Sequence, residues 1–228
     1  MKHIAIGDIH GRANWRELNI RKYEKVVFIG DYADSYDLSD FAILENLKKI
    51  ISLKNRHPEK VVLLLGNHDA HYLHYPRFKC SGFRPAMKTD LTTLFRKNAE
   101  CFQIAYQKGN HLFTHAGLTN SWYNEVLRSP VITAIFEKEK DLAGQLNQLE
   151  RTAFRGTLYD AGIERGGYGY GGPLWADYKE TSVDMLNEFH QIVGHTRVED
   201  IHTITCSDKS VTYTDVLQHQ TKFYELDI

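Results

Sequence analysis

Small clusters of Asp, Asn, His and Gly recur along the chain, each directly after a run of aliphatic residues. The five segments read IGDIHG, IGDYAD, LGNHD, FTHAG and IVGHT. Carboxylate and imidazole groups can bind metal ions or transfer protons, so they are costly choices for ordinary turns. The LGNHD segment is the most specific, because Asn and His at the end of a buried strand would otherwise need hydrogen-bond partners. The pattern therefore predicts a metal-binding or acid–base site.

Six of these side chains form a candidate set of metal ligands: Asp8, His10, Asp31, Asn67, His115 and His195. Asp8 and His10 are two residues apart, so on extended backbone they point the same way and can hold one ion. The carboxylate of Asp31 has two oxygens and can bridge two ions. This mixture of oxygen and nitrogen donors suits Mn²⁺, Fe or Zn²⁺ better than Ca²⁺ or Mg²⁺ alone. Two such ions about 3.5–4 Å apart can clamp a phosphoryl group.

The elements that would position these residues alternate between strand and helix. Aliphatic runs predict strands over residues 3–7, 25–30 and 60–65, and apolar spacings of three or four predict helices over residues 13–22 and 38–56. Such a βαβαβ run forms a parallel sheet with right-handed crossovers. Ligands of open parallel sheets bind at the carboxyl ends of the strands, so we expect the polar clusters to converge there.

The remainder of the chain is predicted to mix helices with hairpins. Residues 86–107 and 130–150 carry helical spacing, and a turn at 108–110 predicts a hairpin. The C-terminal part is rich in Thr, Val and Ile and predicts further strands. We therefore expect one α/β domain over residues 1–228 (α+β in some schemes), a four-layer α/β/β/α sandwich of two mixed sheets flanked by helices.

The ordered set of motifs resembles the calcineurin-like metallophosphoesterase superfamily. The closer likeness is to its phosphoprotein-phosphatase branch, which includes bacteriophage-type Ser/Thr phosphatases and diadenosine tetraphosphate hydrolases. That branch carries GDxHG, GDxVDRG, GNHE, HGG or HAG, and a late GH. The matching segments are Gly7 to Gly11, Gly30 to Asp34, Gly66 to Asp69, His115 to Gly117 and Gly194 to Thr196, with PLWAD at Pro173 to Asp177.

The resemblance implies a role for each matching residue. The ligands would be Asp8 and His10 for the first metal ion, Asp31 as the bridge, and Asn67, His115 and His195 for the second. The two ions would be divalent metals, with Mn²⁺ expected and Fe or Zn²⁺ as alternatives. A hydroxide bound to them would attack the phosphorus in line with the leaving group. His68 would be the general acid that protonates the leaving oxygen, oriented by Asp34, and the acid–base range of His suits that task.

One position departs from the motif of this branch. The branch has an Arg that clamps the phosphate after the Asp of GDxVDRG, and here Ser35 takes that place. A hydroxyl is a weak substitute for a bidentate guanidinium. Arg84, Arg155 and Arg165 are the candidates to replace the clamp, and for each the alternative is a solvated surface Arg.

Two enzyme functions and one other function fit the sequence. The first is metal-dependent hydrolysis of phosphomonoesters, including phosphoproteins. The second is hydrolysis of a nucleotide phosphoanhydride, since Trp175 and the tyrosines of the Gly-rich loop, Tyr168 and Tyr170, could stack on a base. The third is a non-catalytic metal-binding scaffold, which would be expected to have lost ligands. We therefore expect an enzyme whose partner is a phosphorylated small molecule, nucleotide or protein.

The composition limits the other partners. The 228 residues include 28 Lys and Arg against 29 Asp and Glu, a formal charge of −1, so neither nucleic acid nor an acidic membrane surface is expected as a partner. No apolar stretch approaches the roughly 20 residues that a membrane helix needs. Three scattered cysteines, Cys80, Cys101 and Cys206, predict reduced thiols and a cytoplasmic location. The composition leaves the oligomeric state open.

Overall fold

The computed structural model describes residues 1–228 and divides them into two compact units. The first unit comprises Met1–Gln103 and Val216–Ile228, and the second comprises Ile104–Asp215. Each unit contains one five-stranded sheet. That the whole chain forms a single domain stays a prediction.

Ten strands and seven α-helices make up the regular structure. In chain order the strands are β1 (Lys2–Ile6), β2 (Lys25–Phe28), β3 (Val61–Leu64), β4 (Phe102–Gln103), β5 (Ala105–Lys108), β6 (His111–Thr114), β7 (His190–Arg197), β8 (His202–Cys206), β9 (Lys209–Asp215) and β10 (Tyr224–Asp227). The α-helices are α1 (Asp40–Arg56), α2 (Asn67–Leu73), α3 (Lys88–Lys97), α4 (Asn120–Val126), α5 (Pro130–Phe136), α6 (Leu142–Glu150) and α7 (Tyr178–Thr181).

The sheet of the first unit confirms the predicted parallel start of the chain. Its strand order is β10-β1-β2-β3-β4. Strands β1 to β4 run parallel, and β10 pairs antiparallel with β1. All four residues of β3 are buried, as expected of a continuous aliphatic strand in a covered sheet. The parallel order brings the carboxyl ends of β1, β2 and β3 side by side.

Helix α1 begins and packs as its sequence predicts. The side chain of Ser39 accepts a hydrogen bond from the backbone N–H of Ala42 at 3.3 Å, which caps the first turn. Its buried residues recur at spacings of three and four, and they include Ile43, Leu47 and Ile50. This spacing places them on one face of the helix.

The sheet of the second unit is also mixed. Its strand order is β5-β6-β7-β9-β8, with β6, β7 and β9 parallel and with β5 and β8 antiparallel to their neighbours. The hairpin predicted around residues 108–110 is the β5–β6 pair. Part of the core of this unit is a buried cluster of four side chains, Met185, Val193, Val211 and Tyr213. Two mixed sheets with seven α-helices confirm the predicted α/β class.

Three of the predicted helices differ from the structure. Residues 13–22 form two short 3₁₀ turns, Asn14–Glu17 and Ile20–Lys22, because the backbone of Leu18 between them is extended. The helix predicted over 130–150 is two helices, α5 and α6. A new helix, α6, begins after Asp141, whose side chain caps it by accepting a hydrogen bond from Gly144 N at 2.7 Å.

The helix predicted over 86–107 is wrong in its second half. Helix α3 ends at Lys97, and a single 3₁₀ turn leads into β4 and β5. The side chain of Asn147 on α6 accepts hydrogen bonds from the backbone N–H groups of Ile104 (2.8 Å) and Ala105 (3.0 Å) between these two strands. Tertiary pairing therefore overrides the local helical spacing.

No helix in the structure combines the length and the apolar composition that crossing a membrane requires.

Candidate functional site

The loops after β1 and β2 lie side by side and carry the first three candidate ligands. Beyond the ends of the strands, the backbone N–H of His10 donates to Asp31 O at 2.6 Å, and that of Gly11 donates to Tyr32 O at 3.2 Å. These bonds continue the parallel pairing into the loops. Asp8, His10 and Asp31 are thereby fixed at one edge of the sheet, as the sequence predicted.

Two glycines allow the loop after β3 to approach the loop after β2. A Cβ on Gly30 would lie 2.6 Å from Gly66 N, and a Cβ on Gly66 would lie 2.0 Å from Asp31 Oδ1. Gly30 also has a φ of +116°, which side chains rarely adopt. The close approach lets the backbone N–H of His68 donate to Asp31 Oδ1 at 3.0 Å. The glycines of the GD motif at Gly30 and the GN motif at Gly66 are therefore required for the close approach of these two loops.

His10 is held in the tautomer that a metal ligand needs. Its Nδ1 lies 3.0 Å from the carbonyl oxygens of Ala33 and Asp34. Carbonyl oxygens only accept, so Nδ1 carries the hydrogen and Nε2 presents its electron pair. That Nε2 lies 3.7 Å from Asp31 Oδ2. A nitrogen and a carboxylate oxygen facing each other at this distance fit a shared divalent cation.

His68, Asp34 and Tyr72 form a hydrogen-bonded group. His68 Nδ1 lies 2.8 Å from Asp34 Oδ2, and the Tyr72 hydroxyl donates to Asp34 Oδ1 at 2.5 Å. Burial disfavours the charged imidazole. The Asp31 carboxylate and the hydrogen bond to Asp34 outweigh burial, and the pKa of His68 is well above its ordinary value. The arrangement can hold a proton on His68 and fixes the orientation of its ring.

Two contributors to this group were not singled out from the sequence. Asp69 accepts hydrogen bonds from the backbone of Tyr32 (2.8 Å) and Ala33 (3.0 Å) through Oδ1, and from Gly66 N (2.9 Å) through Oδ2. It therefore ties the loop after β2 to the start of α2. Tyr72 lies one helical turn after His68, and that spacing of four was the available signal.

His115 and His195 come together in the second unit. His115 Nε2 and His195 Nδ1 are 3.2 Å apart, and His115 is fully buried. The register of β7 against β9 shifts between Val193 and Arg197, and this irregularity turns His195 toward His115. Two ligand nitrogens about 2.0–2.1 Å from one tetrahedral zinc ion would be about 3.3 Å apart, so the pair suits a common cation.

The backbone at these residues is strained. His10, Asp31, Asp34 and His195 all have positive φ, with values of 41°, 50°, 57° and 63°. Non-glycine residues rarely adopt this region, and each instance costs roughly 1–3 kcal/mol. Seven non-glycine residues have positive φ, and four of them are residues that the sequence analysis named as site candidates. Such strain is typical of functional sites.

Arg84 lies beside Ser35, where the resembling branch has its clamp. Its Nη1 donates to Ser35 O at 2.7 Å and to Leu38 O at 3.1 Å, and its Nη2 contacts Asp40 at 2.5 Å. The guanidinium therefore supports the loop after β2, and most of its donors are already used.

Arg165 and Arg155 have different surroundings. Arg165 Nη2 donates to Thr196 Oγ1 at 2.9 Å, directly after His195, while its Nε lies 2.7 Å from Asp177. Arg155 Nε donates to Thr152 O at 3.1 Å, near the end of α6. Of these two arginines, only Arg165 is brought next to a candidate ligand by the contacts above.

The donor set suits divalent metals of the first transition row. Buried carboxylates and partly or fully buried imidazoles provide hard and borderline ligands, and the candidate residues occur as one group in each unit. The first group is Asp8, His10, Asp31 and Asn67, and the second is His115 and His195.

Comparisons with solved structures show which proteins have a similar fold. No curated protein sequence matches the chain. A cold-active protein-tyrosine phosphatase of a psychrophilic Shewanella sp. matches 99% of this chain and 75% of its own, with 17% identity and a TM-score of 0.62. A protein serine/threonine phosphatase from Saccharomyces cerevisiae, described as similar to human PP5, matches 94% of this chain and 67% of its own, with 17% identity and a TM-score of 0.55. Identities this low show similarity of fold alone.

The family is shown by a direct match to the sequence. The model of the calcineurin-like phosphoesterase family matches residues 1–199. That range contains every motif from Gly7 to Thr196. The chain therefore belongs to the calcineurin-like phosphoesterase family and is a hydrolase that acts on phosphoester bonds.

Proposed function

We propose that the protein is a metal-dependent phosphatase that hydrolyses phosphomonoesters, including phosphoproteins. The observation that carries this proposal is the hydrogen-bonded pair of His68 and the buried Asp34, with Nδ1 and Oδ2 2.8 Å apart, next to the carboxylate of Asp31. A proton donor beside a candidate metal ligand is the arrangement that ester cleavage requires, because the leaving oxygen must be protonated as the bond breaks. A non-catalytic scaffold would have no need of it.

The six candidate ligands would together hold two divalent ions, with Mn²⁺ preferred and Fe or Zn²⁺ as alternatives. Asp8 and His10 would bind one ion, Asp31 would bridge, and Asn67, His115 and His195 would bind the other, as the family resemblance implies. When bound, such ions polarise phosphate oxygens and lower the pKa of water. The carbonyl oxygens of Ala33 and Asp34 hold His10 in the ligating tautomer.

His68 would act as the general acid. Its Nδ1 is engaged by Asp34, so the transferable proton resides on Nε2. Asp34 receives a second hydrogen bond from the Tyr72 hydroxyl, which keeps the carboxylate oriented toward His68. Orientation by a buried carboxylate lets the ring donate its proton without first reorganising.

Arg165 is our first choice for the missing phosphate clamp. It contacts Thr196, the neighbour of His195, whereas both hydrogens of Arg84 Nη1 are already accepted by backbone carbonyls. Arg165 also belongs to the Gly-rich loop, which can adjust to a substrate. Arg84 would assist indirectly, by holding the loop that carries Asp34 and Ser35.

Hydrolysis of a nucleotide phosphoanhydride is a second candidate. The ring of Trp175 lies edge-on to His195, with centroids 5.7 Å apart, and the side chain of Tyr168 is 97% exposed. An exposed aromatic ring in a Gly-rich loop can stack on a nucleobase. A substrate held by stacking would depend less on an Arg clamp, which agrees with Ser35.

A substrate panel separates the two candidates. Purified protein loaded with Mn²⁺ would be assayed with p-nitrophenyl phosphate, a phosphoserine peptide, a phosphotyrosine peptide and diadenosine tetraphosphate, with Asp8→Ala as the control. We expect turnover of the monoesters that is lost in the control, and the peptide ratio would give the preference. Turnover of the dinucleotide alone would favour the anhydride hydrolase, and silence in all four assays with metal bound would contradict both.

A further inference from the structure

Cys80 lies close to His68, the proposed general acid, and has no part in the hydrolysis described above. Its Sγ lies 3.8 Å from His71 Nδ1, and its backbone N–H donates to the same nitrogen at 3.4 Å. The side chain is partly buried, in the segment between α2 and α3. A thiol held in place by a histidine is therefore present within the first unit.

The thiol belongs to a group of three metal-binding side chains. One donor atom each from Asp34, His68 and Cys80 lies within 4.8 Å of the others, and Asp34 is buried. The group offers a carboxylate oxygen, an imidazole nitrogen and a sulfur. None of the six ligands of the family motifs belongs to it.

Rigid surroundings hold this group together. The ring of His71 is only 4% exposed and packs on Phe83 with centroids 4.3 Å apart. Gly82 has a φ of +75°, and a Cβ there would lie 3.5 Å from His68 Cε1, so this segment is packed close to the imidazole. His71 thus positions Cys80 opposite His68 without itself belonging to the group.

The distances suit a zinc ion after small side-chain movements. With Zn–S near 2.3 Å and Zn–N or Zn–O near 2.0–2.1 Å, ligand atoms of a tetrahedral site are about 3.3–3.6 Å apart. The His68 Nδ1–Asp34 Oδ2 contact is 2.8 Å and would open slightly, whereas all three donor atoms already lie within 4.8 Å. Sulfur favours Zn²⁺ over Mn²⁺ or Mg²⁺, which prefer oxygen.

We propose that Cys80, His68 and Asp34 form a zinc site that adjoins the proposed two-metal centre and shares no ligand with it, and that zinc bound there inhibits hydrolysis. Zinc would bind His68 Nδ1, the Asp34 carboxylate and the Cys80 thiolate, and two protons, one from His68 Nδ1 and one from the Cys80 thiol, would pass to solvent. The imidazole could then no longer be oriented by Asp34 as a proton donor. Zinc binding stands independently, and the inhibition rests on the proposed phosphatase function.

Cobalt absorption tests the binding directly. Co²⁺ would be added to protein already loaded with Mn²⁺, because cobalt substitutes for zinc and shows a thiolate charge-transfer band only when sulfur coordinates it. We expect the band in the wild type and in a Cys101→Ser/Cys206→Ser control, and its loss in Cys80→Ala. No band in the wild type, or a band that survives Cys80→Ala, would overturn the site.

Alkylation of the wild type provides a test that needs no variant. Iodoacetamide labelling of each cysteine would be followed by mass spectrometry with and without Zn²⁺. Zinc should slow the labelling of Cys80 at least tenfold and leave that of the exposed Cys206 unchanged. Equal labelling of Cys80 in both samples would refute the proposal.

Inhibition is measured separately. With p-nitrophenyl phosphate as substrate, we expect Cys80→Ala to keep the basal rate and to raise the zinc concentration for half inhibition at least tenfold. Zinc inhibition of equal strength in both proteins would refute the inhibitory role. If neither protein hydrolyses any substrate while the cobalt band still depends on Cys80, the phosphatase proposal fails and the zinc site stands.

Discussion

At the scale of single residues, side chains that bind metals and side chains that transfer protons are distinguished by their partners. Two carbonyl oxygens accept from His10 Nδ1, which presents Nε2 as the proposed ligand atom, whereas a carboxylate engages His68 Nδ1 and orients that ring for the proposed proton transfer. We therefore propose two roles for the same residue type within one unit. Each role predicts a different response to substitution.

Replacing His68 by Ala should separate catalysis from metal binding. We expect kcat for phenyl phosphate, a poor leaving group, to fall about 10²–10⁴-fold, because protonation of the leaving oxygen is lost. The fall should be smaller for p-nitrophenyl phosphate, whose leaving group needs little protonation. Metal content should not change, and His74→Ala, directly after the same helix, should behave like the wild type. Undiminished turnover of phenyl phosphate would rule out the acid role.

Replacing Asp31 by Ala should release metal. Asp31 is 2% exposed, and its Oδ2 lies 3.7 Å from His10 Nε2. Because the position is buried, a carboxylate from the protein surface cannot replace it as a metal ligand. We expect elemental analysis after dialysis to find less than one equivalent of metal per chain, against two in the wild type. Asp37→Ala, which removes an exposed carboxylate from the same loop, is the matched control. Two equivalents retained without Asp31 would exclude the bridge.

Arg165→Ala should raise KM for phosphorylated substrates. A charge-assisted hydrogen bond to phosphate is worth about 1.5–3 kcal/mol, or roughly 10–150-fold in KM. Arg155→Ala should leave KM unchanged, because Arg155 donates to the carbonyl of Thr152, just after α6, and contacts no candidate ligand. Steady-state kinetics of the two variants would decide this. Equal KM values for Arg165→Ala and Arg155→Ala would contradict the role of Arg165 and would leave Arg84 or aromatic stacking to hold the substrate.

At the scale of elements, the sequence predicted the first three strands better than the segments that follow them. Strands β1, β2 and β3 are continuous aliphatic runs, so their ends and the ligands that follow were visible in the pattern. The pattern did not show the turn from α3 into β4 and β5, because this turn depends on Asn147, more than forty residues away in sequence. Tyr72 and Asp69 were missed for a similar reason, since their partners lie on a different loop.

Asn147→Ala should destabilise the protein while sparing the site. The Asn147 side chain satisfies two buried backbone N–H groups, of Ile104 and Ala105, and donates to Ala105 O at 2.9 Å. The substitution removes these three hydrogen bonds to buried backbone groups, and each is worth about 0.5–1.5 kcal/mol. Urea unfolding should show a loss of roughly 2–4 kcal/mol, whereas Gln148→Ala, next on the same helix, should change stability by less than about 0.5 kcal/mol. Equal stability of both variants would contradict this role.

At the scale of the whole molecule, the candidate ligands are divided between the two compact units. Four belong to the first unit, where they follow parallel strands, and two belong to the second, where His115 follows β6 and His195 lies within the parallel strand β7. The order of the motifs along the chain predicted both groups, whereas Cys80, outside every motif, gave no signal. The central claim of our proposal is that hydrolysis requires two bound metal ions.

Titration of Mn²⁺ into metal-free protein, with hydrolysis of p-nitrophenyl phosphate followed at each addition, tests that claim most directly. The account predicts no turnover without metal and a rate that rises with added Mn²⁺ and levels off at two equivalents per chain. Full turnover by the metal-free protein, or no turnover with two equivalents confirmed bound, would contradict it.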